Sequence, residues 1–534
     1  MSYKSYPGAR GLLPPAFCPK NHGARTLAQM REKPTGLDRY IFLNGLKGRD
    51  PALFYDLLLH NMPEMIPILY TPTVGDACVN YSSIWRRAEG LYVSIHDKGR
   101  IEEVLRNWPC GAADARIAVV TDGSRILGLG DLGANGLPIA IGKLDLYIAG
   151  AGIRPRSTVP ICLDLGTNTE RYLNDPLYLG ARQKRPNDKD MEEFMDEFMA
   201  AMSKVFPDLL VQFEDFSTDN AFKYLGRYRN THRVFNDDIQ GTGSVVLSGF
   251  LNAARIASAA SGKPLKEHRI LFFGAGSAGI GVAKQLLSFF KLQGVSEEDA
   301  TKQIWTVDSK GLVVADRPGL QEHKKFFART DYTGPALTNL LDIIDYVKPT
   351  ALLGLSTIKG AFTQPVVEKM TALNERPIVF PLSNPVNMCE VTFQDAVEWL
   401  VSKGKVVFAS GSPYKPVEFE GTKYEPGQGN NMYIFPALGL GAILSKAIHV
   451  TDSMVEQASI ALANSLTPEE IAEGLVYPRL ERIREVSAIV AGRVVRAAQK
   501  DGVDRNPVLR ELSDDTLLEL IKSKMWAPSN KSKL

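Results

Sequence analysis

The chain has 534 residues, 44% apolar and 23% charged, with a formal charge of +2. That length suggests about three domains, and the near-balanced charge excludes the dense basic face of a nucleic-acid binder. No apolar stretch is long enough to span a bilayer; the longest, "IFPALGLGAIL" at 434–444, falls short of the required length. The five cysteines, Cys18, Cys78, Cys110, Cys162 and Cys389, are widely scattered without CxxC spacing. They read as reduced, structural thiols rather than a zinc site.

Residues 1–88 read as a helical N-terminal region. "LDRYIFLNGL" and "PALFYDLLLHNMPEMIPILY" carry apolar residues at helical spacing, with Pro and Gly at the breaks. Residues 89–236 then alternate short β-rich runs ("GLYVSI", "ARIAVVTDG", "STVPICLDLG", "LLVQFEDF") with helical stretches such as "LPIAIGKLDLYIAGAG" and "DMEEFMDEFMAAMSKVF". Such alternation predicts a parallel sheet covered on both faces. A second α/β unit is assigned to 237–430, with strands at "RILFFG", "IWTVD", "ALLGLS", "PIVFPLS" and "VVFAS". Residues 431–534 return to helix and are expected to pack back on the 89–236 domain, followed by a tail. The predicted class is α/β: a Rossmann-type nucleotide-binding domain beside a second parallel-sheet domain, with helical regions at both ends.

"RILFFGAGSAGIGVAKQLLSFF" is a strand, a glycine turn and a helix, and Gly274, Gly276 and Gly279 match G-x-G-x-x-G in the required context. The first glycine allows the tight turn, the second lets pyrophosphate approach the backbone, and the third lets helix and strand pack closely. Asp308 ends the next strand, 34 residues after Gly274 rather than about 20. The extra length is assigned to a helical insertion, "KLQGVSEEDATKQ". Ser309, Lys310, Lys324 and Lys325 follow; hydroxyl and basic groups suit a ribose 2′-phosphate, which predicts NADP over NAD.

Two acidic pairs carry the rest of the chemistry: Glu214–Asp215 in "VQFEDF" and Asp237–Asp238 in "FNDDIQGT". Both are flanked by apolar residues, so a solvated face explains them poorly. If they converge in a cleft, a cation must offset their repulsion. Oxygen-only ligation points to a hard divalent ion, Mg²⁺ or Mn²⁺.

Taken together, "ILYTPTVGDAC", "VTDGSRILGLGDLGANGLPIAIGKLDLY", "VQFEDF", "FNDDIQGT", "LSNP" and "FASGSP…PGQGNNMYIFP" resemble the malic enzymes over nearly the whole chain. The resemblance implies oxidative decarboxylation of L-malate to pyruvate and CO₂ with NADP and a divalent cation. It implies a role for each matching residue: Tyr70 as general acid, Lys143 as general base, and Arg125 as the grip on the substrate carboxylate. Glu214, Asp215 and Asp238 match metal ligands, and Asp237 a neighbouring acid that supports proton transfer by the lysine. Asn384 and Asn431 match substrate-binding amides, Asn384 also facing the nucleotide. The "DSK" at 308–310 resembles the NADP-using members. As a base, Lys143 needs a lowered pKa, for which the metal ion and Arg125 are the expected source. The other readings are a sister metal-dependent oxaloacetate decarboxylase or 2-hydroxyacid dehydrogenase, and an inactive nucleotide-sensing homologue. A homodimer or homotetramer is expected, with neither nucleic acid nor membrane as partner. The terminal Ser532-Lys533-Leu534 reads as an address to a peroxisome-like organelle; without it the expectation is the cytosol.

Overall fold

A computed structural model describes residues 21–384, 386–399 and 406–528. The terminal Ser532-Lys533-Leu534 motif and Cys18 lie outside the described residues. Six helices between His22 and Ile84 lead into the first sheet. Its strands are β1 (Leu91–Ser94), β2 (Ile117–Thr121), β3 (Thr158–Asp164), β4 (Leu210–Phe213) and β5 (Val234–Asn236). They are all parallel, in the order β1-β3-β2-β4-β5. Every residue of β2, β3 and β4 is buried. Strands covered on both faces read as continuous apolar runs rather than alternating ones, and "IAVV" and "VPICL" are such runs.

The second sheet contains β6 (Ile270–Phe273), β7 (Ile304–Asp308), β8 (Gly311–Leu312), β9 (Ala351–Gly354), β10 (Ile378–Pro381) and β11 (Val407–Ser410). A small hairpin of β12 (Val417–Phe419) and β13 (Thr422–Tyr424) follows, then β14 (Gly427–Gln428), which joins the sheet edge. The order is β14-β11-β10-β9-β6-β7-β8, parallel except for the short β7–β8 pair. The expected strands are all present. The short β5, β8 and β14 and the hairpin were not anticipated, because two or three residues carry no readable period. The 34-residue spacing does contain a short extra helix, Glu297–Lys302, capped by the Ser296 hydroxyl.

Two helices matter most for the site. Leu137–Ala151 is buried along its whole length, as a helix apolar all round must be. It ends at Gly152, whose φ of +64° suits glycine and where a Cβ would lie 2.6–2.8 Å from Met525 and Trp526. The C-terminal helices Phe435–Ser445 and Ile483–Lys500 close over it: a Cβ on Gly439 would meet the Tyr147 ring at 2.6 Å, and Gly150 faces Pro436 and Ile483. The second, Thr242–Ser261, begins directly after one turn of π-helix, Asp237–Gly241. This helix runs from the first sheet to the second, packing on Ser277–Lys291 through Gly243 and Gln285. Among the described residues no helix is long and apolar enough to cross a membrane.

Candidate active site

The two sheets present their carboxyl-terminal strand ends to one cleft, the location expected for ligands on open α/β sheets. Tyr70, Arg125, Lys143, Glu214, Asp215 and Asp238 line one side of it. Ala278, Leu355 and Asn384 come from the second sheet's side, and Asn431 completes the lining next to Asp237. Residues far apart in the chain, the two acidic pairs among them, therefore converge, as the carboxylate reading required.

The acids arrive by a simple route. Glu214 and Asp215 follow β4; Asp237 and Asp238 follow its neighbour β5, so parallel pairing brings the two acidic pairs side by side. Asp215 adopts φ +54°, a left-handed conformation that Asp tolerates better than most residues. The kink is held from three sides. Its backbone N–H donates to Asp238 Oδ2 at 2.8 Å, its Oδ2 accepts from Leu127 N at 3.1 Å, and its carbonyl accepts from Arg125 N at 3.2 Å. Glu214, Asp215 and Asp238 then offer oxygens that all lie within 4.8 Å of one another. Burial first, and then mutual repulsion, raises the pKa of Glu214 and Asp215 well above the carboxylate range. Asp238 is pushed up to about 6, with burial again the main cause. Two buried carboxylates and a half-buried third, with no His or Cys among them, fit a hard divalent cation, whose charge offsets this repulsion.

Asp237 behaves differently. It is fully buried, and its Oδ2 accepts from Lys143 Nζ and, at 3.0 Å, from Asn431 Nδ2. Its Oδ1 has no hydrogen-bond partner among the described residues. The π-turn explains how it fits: a Cβ on Gly241 would fall 1.8 Å from Asp237 Oδ1, so only glycine leaves room for the carboxylate. π-turns of this kind often occur at functional sites. Asn431 also donates to Thr242 Oγ1 at 2.9 Å.

Lys143 is 1% exposed, and its Nζ lies 2.9 Å from Glu214 Oε1 as well as against Asp237. The Tyr70 ring centre is 5.2 Å from Nζ and that of Phe435 is 4.6 Å away. Burial pulls the lysine pKa down, but Asp237 and Glu214 more than reverse this and hold it well above the ordinary value. The expectation of a lowered pKa is therefore not met by the chain's own groups. The cause is geometric: two anions touch the amine, while Arg125 is exposed and donates to Thr218 Oγ1 instead. Burial raises the Tyr70 phenol, with the Lys143 charge acting against it. Asn384 holds its place by accepting from Ser412 Oγ at 2.5 Å.

At the nucleotide end the three glycines separate by role. Gly274 has φ +121°, and a Cβ there would meet Leu355 O at 2.4 Å. Gly276 faces open space, with nothing within 4 Å of a Cβ. Gly279 leaves no room at all, since its Cβ would lie 1.9 Å from Gly274 O. The helix Ser277–Lys291 thus starts beside an unobstructed turn, the arrangement that receives a pyrophosphate.

Asp308 does close β7, but it is not free to act as a lone acid. Arg317 donates to both of its oxygens at 2.9 and 2.5 Å, Lys324 Nζ lies 2.8 Å away, and the Lys310 N–H donates at 2.9 Å. Burial alone would raise the Asp308 pKa; Lys324 and Arg317 lower it below the usual range. Ser309 and Lys310 are exposed beside it. Lys325 is exposed and pairs with Glu322 at 2.5 Å, so among the two adjacent lysines the structure brings Lys324 to Asp308. Arg317 was not anticipated, because nothing in the spacing marks an arginine nine residues on from the strand end as its partner. Gln212 and Tyr147, which bond behind Glu214, also passed unmarked inside an apolar strand and an apolar helix.

Comparison with known proteins agrees with this geometry. The family model "Malic enzyme, N-terminal domain" matches residues 47–229, and "Malic enzyme, NAD binding domain" matches 239–499. The NADP-dependent malic enzyme of Dictyostelium discoideum is 49% identical, over 98% of this chain and 95% of its own. NADP-dependent malic enzyme 3 of Arabidopsis thaliana is 45% identical, over 97% of this chain and 86% of its own. Among solved structures, the malic enzyme of Entamoeba histolytica shares the fold at a TM-score of 0.60 and 23% identity, over 97% of this chain and 90% of that one. The malic enzyme from Pyrococcus horikoshii aligns at a TM-score of 0.57 and 25% identity, over 87% and 89% of the two chains. A carboxylate triad, a buried lysine beside it and an open dinucleotide turn across one cleft thus accompany near-full-length similarity, and the chain belongs to the malic enzyme family.

Proposed function

We propose that this cleft oxidises L-malate with NADP and releases CO₂ and pyruvate, and that its residues divide the work as follows. The observation that carries the reading is the convergence of Lys143, Asp237 and the triad Glu214, Asp215 and Asp238 beside an open glycine turn. Glu214, Asp215 and Asp238 would hold Mg²⁺ or Mn²⁺, and the turn at Gly274, Gly276 and Gly279 would hold the NADP pyrophosphate. When bound, the divalent ion polarises the substrate oxygens and the nicotinamide accepts the hydride.

The chain's own groups do the rest. Arg125, at the exposed rim, presents a planar fork that can bind a carboxylate through two hydrogen bonds. Asn384 and Asn431 orient the substrate, Asn431 from beside Asp237. Lys143 must be a free amine to take the hydroxyl proton at Nζ. Asp237 Oδ2, hydrogen-bonded to that nitrogen, is the acceptor for the proton the lysine must first give up. Once CO₂ has left, Tyr70 donates its phenolic proton to the methylene carbon, and Lys143 returns a proton to Tyr70. The cluster of Lys310, Lys324 and Arg317 around Asp308 supports NADP, because the acid that would otherwise bind an unmodified ribose is already paired. Assembly as a homodimer or homotetramer is the expectation from the family, checked by light scattering. The central test is metal-dependent NADPH formation from malate by the purified protein. Wild-type protein that forms no NADPH with Mn²⁺, malate and NADP sinks the reading.

A further inference from the structure

Behind the cleft, four side chains close a ring. Lys143 and Tyr147 are one turn apart on the buried helix Leu137–Ala151, so they stand on the same face. Gln212 and Glu214 are two residues apart at the end of β4, so they also share a face. Tyr147 donates its hydroxyl to Gln212 Oε1 at 2.6 Å. Gln212 Nε2 donates to Glu214 Oε2 at 2.8 Å. Glu214 Oε1, the other oxygen, then meets Lys143 Nζ at 2.9 Å. Tyr147 and Gln212 are 0% exposed and Glu214 is 2% exposed, so water does not substitute for any of these bonds.

The order of donors has a consequence. A phenol can donate to the amide oxygen but the amide nitrogen cannot accept. A carboxylate oxygen accepts, so Glu214 takes the donating end of Gln212, and the Tyr147 hydroxyl holds the amide oxygen left on the other side. Glu214 is then tied by one oxygen to the protein interior, which leaves its other oxygen as the one that faces Lys143 and the triad. Without the tie, a glutamate side chain has several rotamers available, and ordering it on metal binding costs conformational entropy. Partners of this kind behind a ligating carboxylate typically contribute about 10–100-fold in metal affinity or activity.

We propose that Gln212, held by Tyr147, is a positioning residue that presents Glu214 to both the divalent ion and Lys143. This rests on the reading of Glu214, Asp215 and Asp238 as the metal site. It goes beyond that reading in assigning Gln212 and Tyr147, neither of which reaches the cleft.

The test is Mn²⁺ binding to the protein alone, followed by the paramagnetic resonance of free Mn²⁺, with NADPH affinity and thermal midpoint as controls. Gln212→Met keeps the side-chain volume and removes both bonds. Tyr147→Phe removes only the hydroxyl and secures the test should Gln212→Met not fold. We expect Mn²⁺ affinity to fall about tenfold in Gln212→Met and about threefold in Tyr147→Phe, with NADPH affinity unchanged. Because Tyr147 acts through Gln212, the double variant should bind Mn²⁺ as Gln212→Met does. Wild-type Mn²⁺ affinity in both single variants overturns the positioning role, as does a double variant in which the two losses add. Asp238→Asn separates this failure from failure of the metal reading. If Asp238→Asn loses Mn²⁺ while Gln212→Met keeps it, only the positioning role is wrong. If neither wild type nor Asp238→Asn binds Mn²⁺, both are wrong.

Discussion

The two adjacent aspartates of "FNDDIQGT" provide the sharpest test of the site, because the structure makes them unequal. Asp238 turns its carboxylate to Glu214 and Asp215; Asp237 turns the other way, to Lys143 and Asn431. The perturbation is a pair of isosteric changes, Asp237→Asn and Asp238→Asn. Removing Asp238's charge takes one of three anions from the proposed cation site. A charge-assisted contact contributes about 1.5–3 kcal/mol, so Mn²⁺ affinity should fall about 10- to 100-fold. The variant should recover much of its turnover when the metal concentration is raised. Asp237 is fully buried and makes one of the two carboxylate contacts to Lys143. Its loss leaves the buried ammonium with a single anionic partner, a change of about 3 kcal/mol. It also deletes the acceptor for the lysine's proton, so kcat should fall about 100-fold or more, while Mn²⁺ affinity moves less than about threefold. The assay is kcat at saturating Mn²⁺ and malate, beside direct Mn²⁺ titration of each variant. Equal losses of Mn²⁺ affinity in the two variants would show that the division between them is wrong.

Three further outcomes follow from particular contacts. Gly276→Ala adds a methyl into open space, so the thermal midpoint should hold while NADP affinity drops at least about tenfold; Gly279→Ala drives a Cβ to 1.9 Å from Gly274 O and should destabilise the fold instead. Unchanged NADPH fluorescence titration in Gly276→Ala would place the nucleotide elsewhere. Tyr70→Phe should still generate NADPH and oxaloacetate but release pyruvate slowly, and full pyruvate production would remove Tyr70 from the acid role. His268 is 1% exposed, lies between Ser258 Oγ at 3.0 Å and Thr350 Oγ1 at 2.9 Å, and is depressed to about 4 by burial. Its folded pKa lies below its unfolded value, so its contribution is complete above pH ~6.5 and is lost as pH falls toward 4. At pH 5 the loss should be about 2 kcal/mol relative to pH 7. In His268→Gln the urea midpoint should lose this part of its dependence between pH 7 and 5, and an unaltered slope would exclude His268 as the cause.

What could be read from the sequence shares a physical basis. The central strands were legible because burial on both faces demands an unbroken apolar run. The three glycines were legible because their reasons are local: a positive φ at Gly274, a bare approach at Gly276, a helix start pressed on its own turn at Gly279. The acidic pairs were legible as pairs because charge among apolar neighbours calls for a counter-ion. Tertiary structure decided everything that depends on side-chain direction across long sequence separation. Lys143 and Asp237 are 94 residues apart, and only the packing of the buried helix on β2 and β3 brings the amine to the carboxylate. That contact reverses the expected sign of the lysine's shift, since two carboxylates at bonding distance outweigh burial and a distant arginine. Arg317 reaches Asp308 through a loop whose path no spacing encodes. Tyr147 and Gln212 look like core filling in one dimension. Their hydroxyl and amide acquire a purpose only where the helix face and the strand face meet behind Glu214, because a hydrogen bond needs both direction and distance and a sequence specifies neither across a fold.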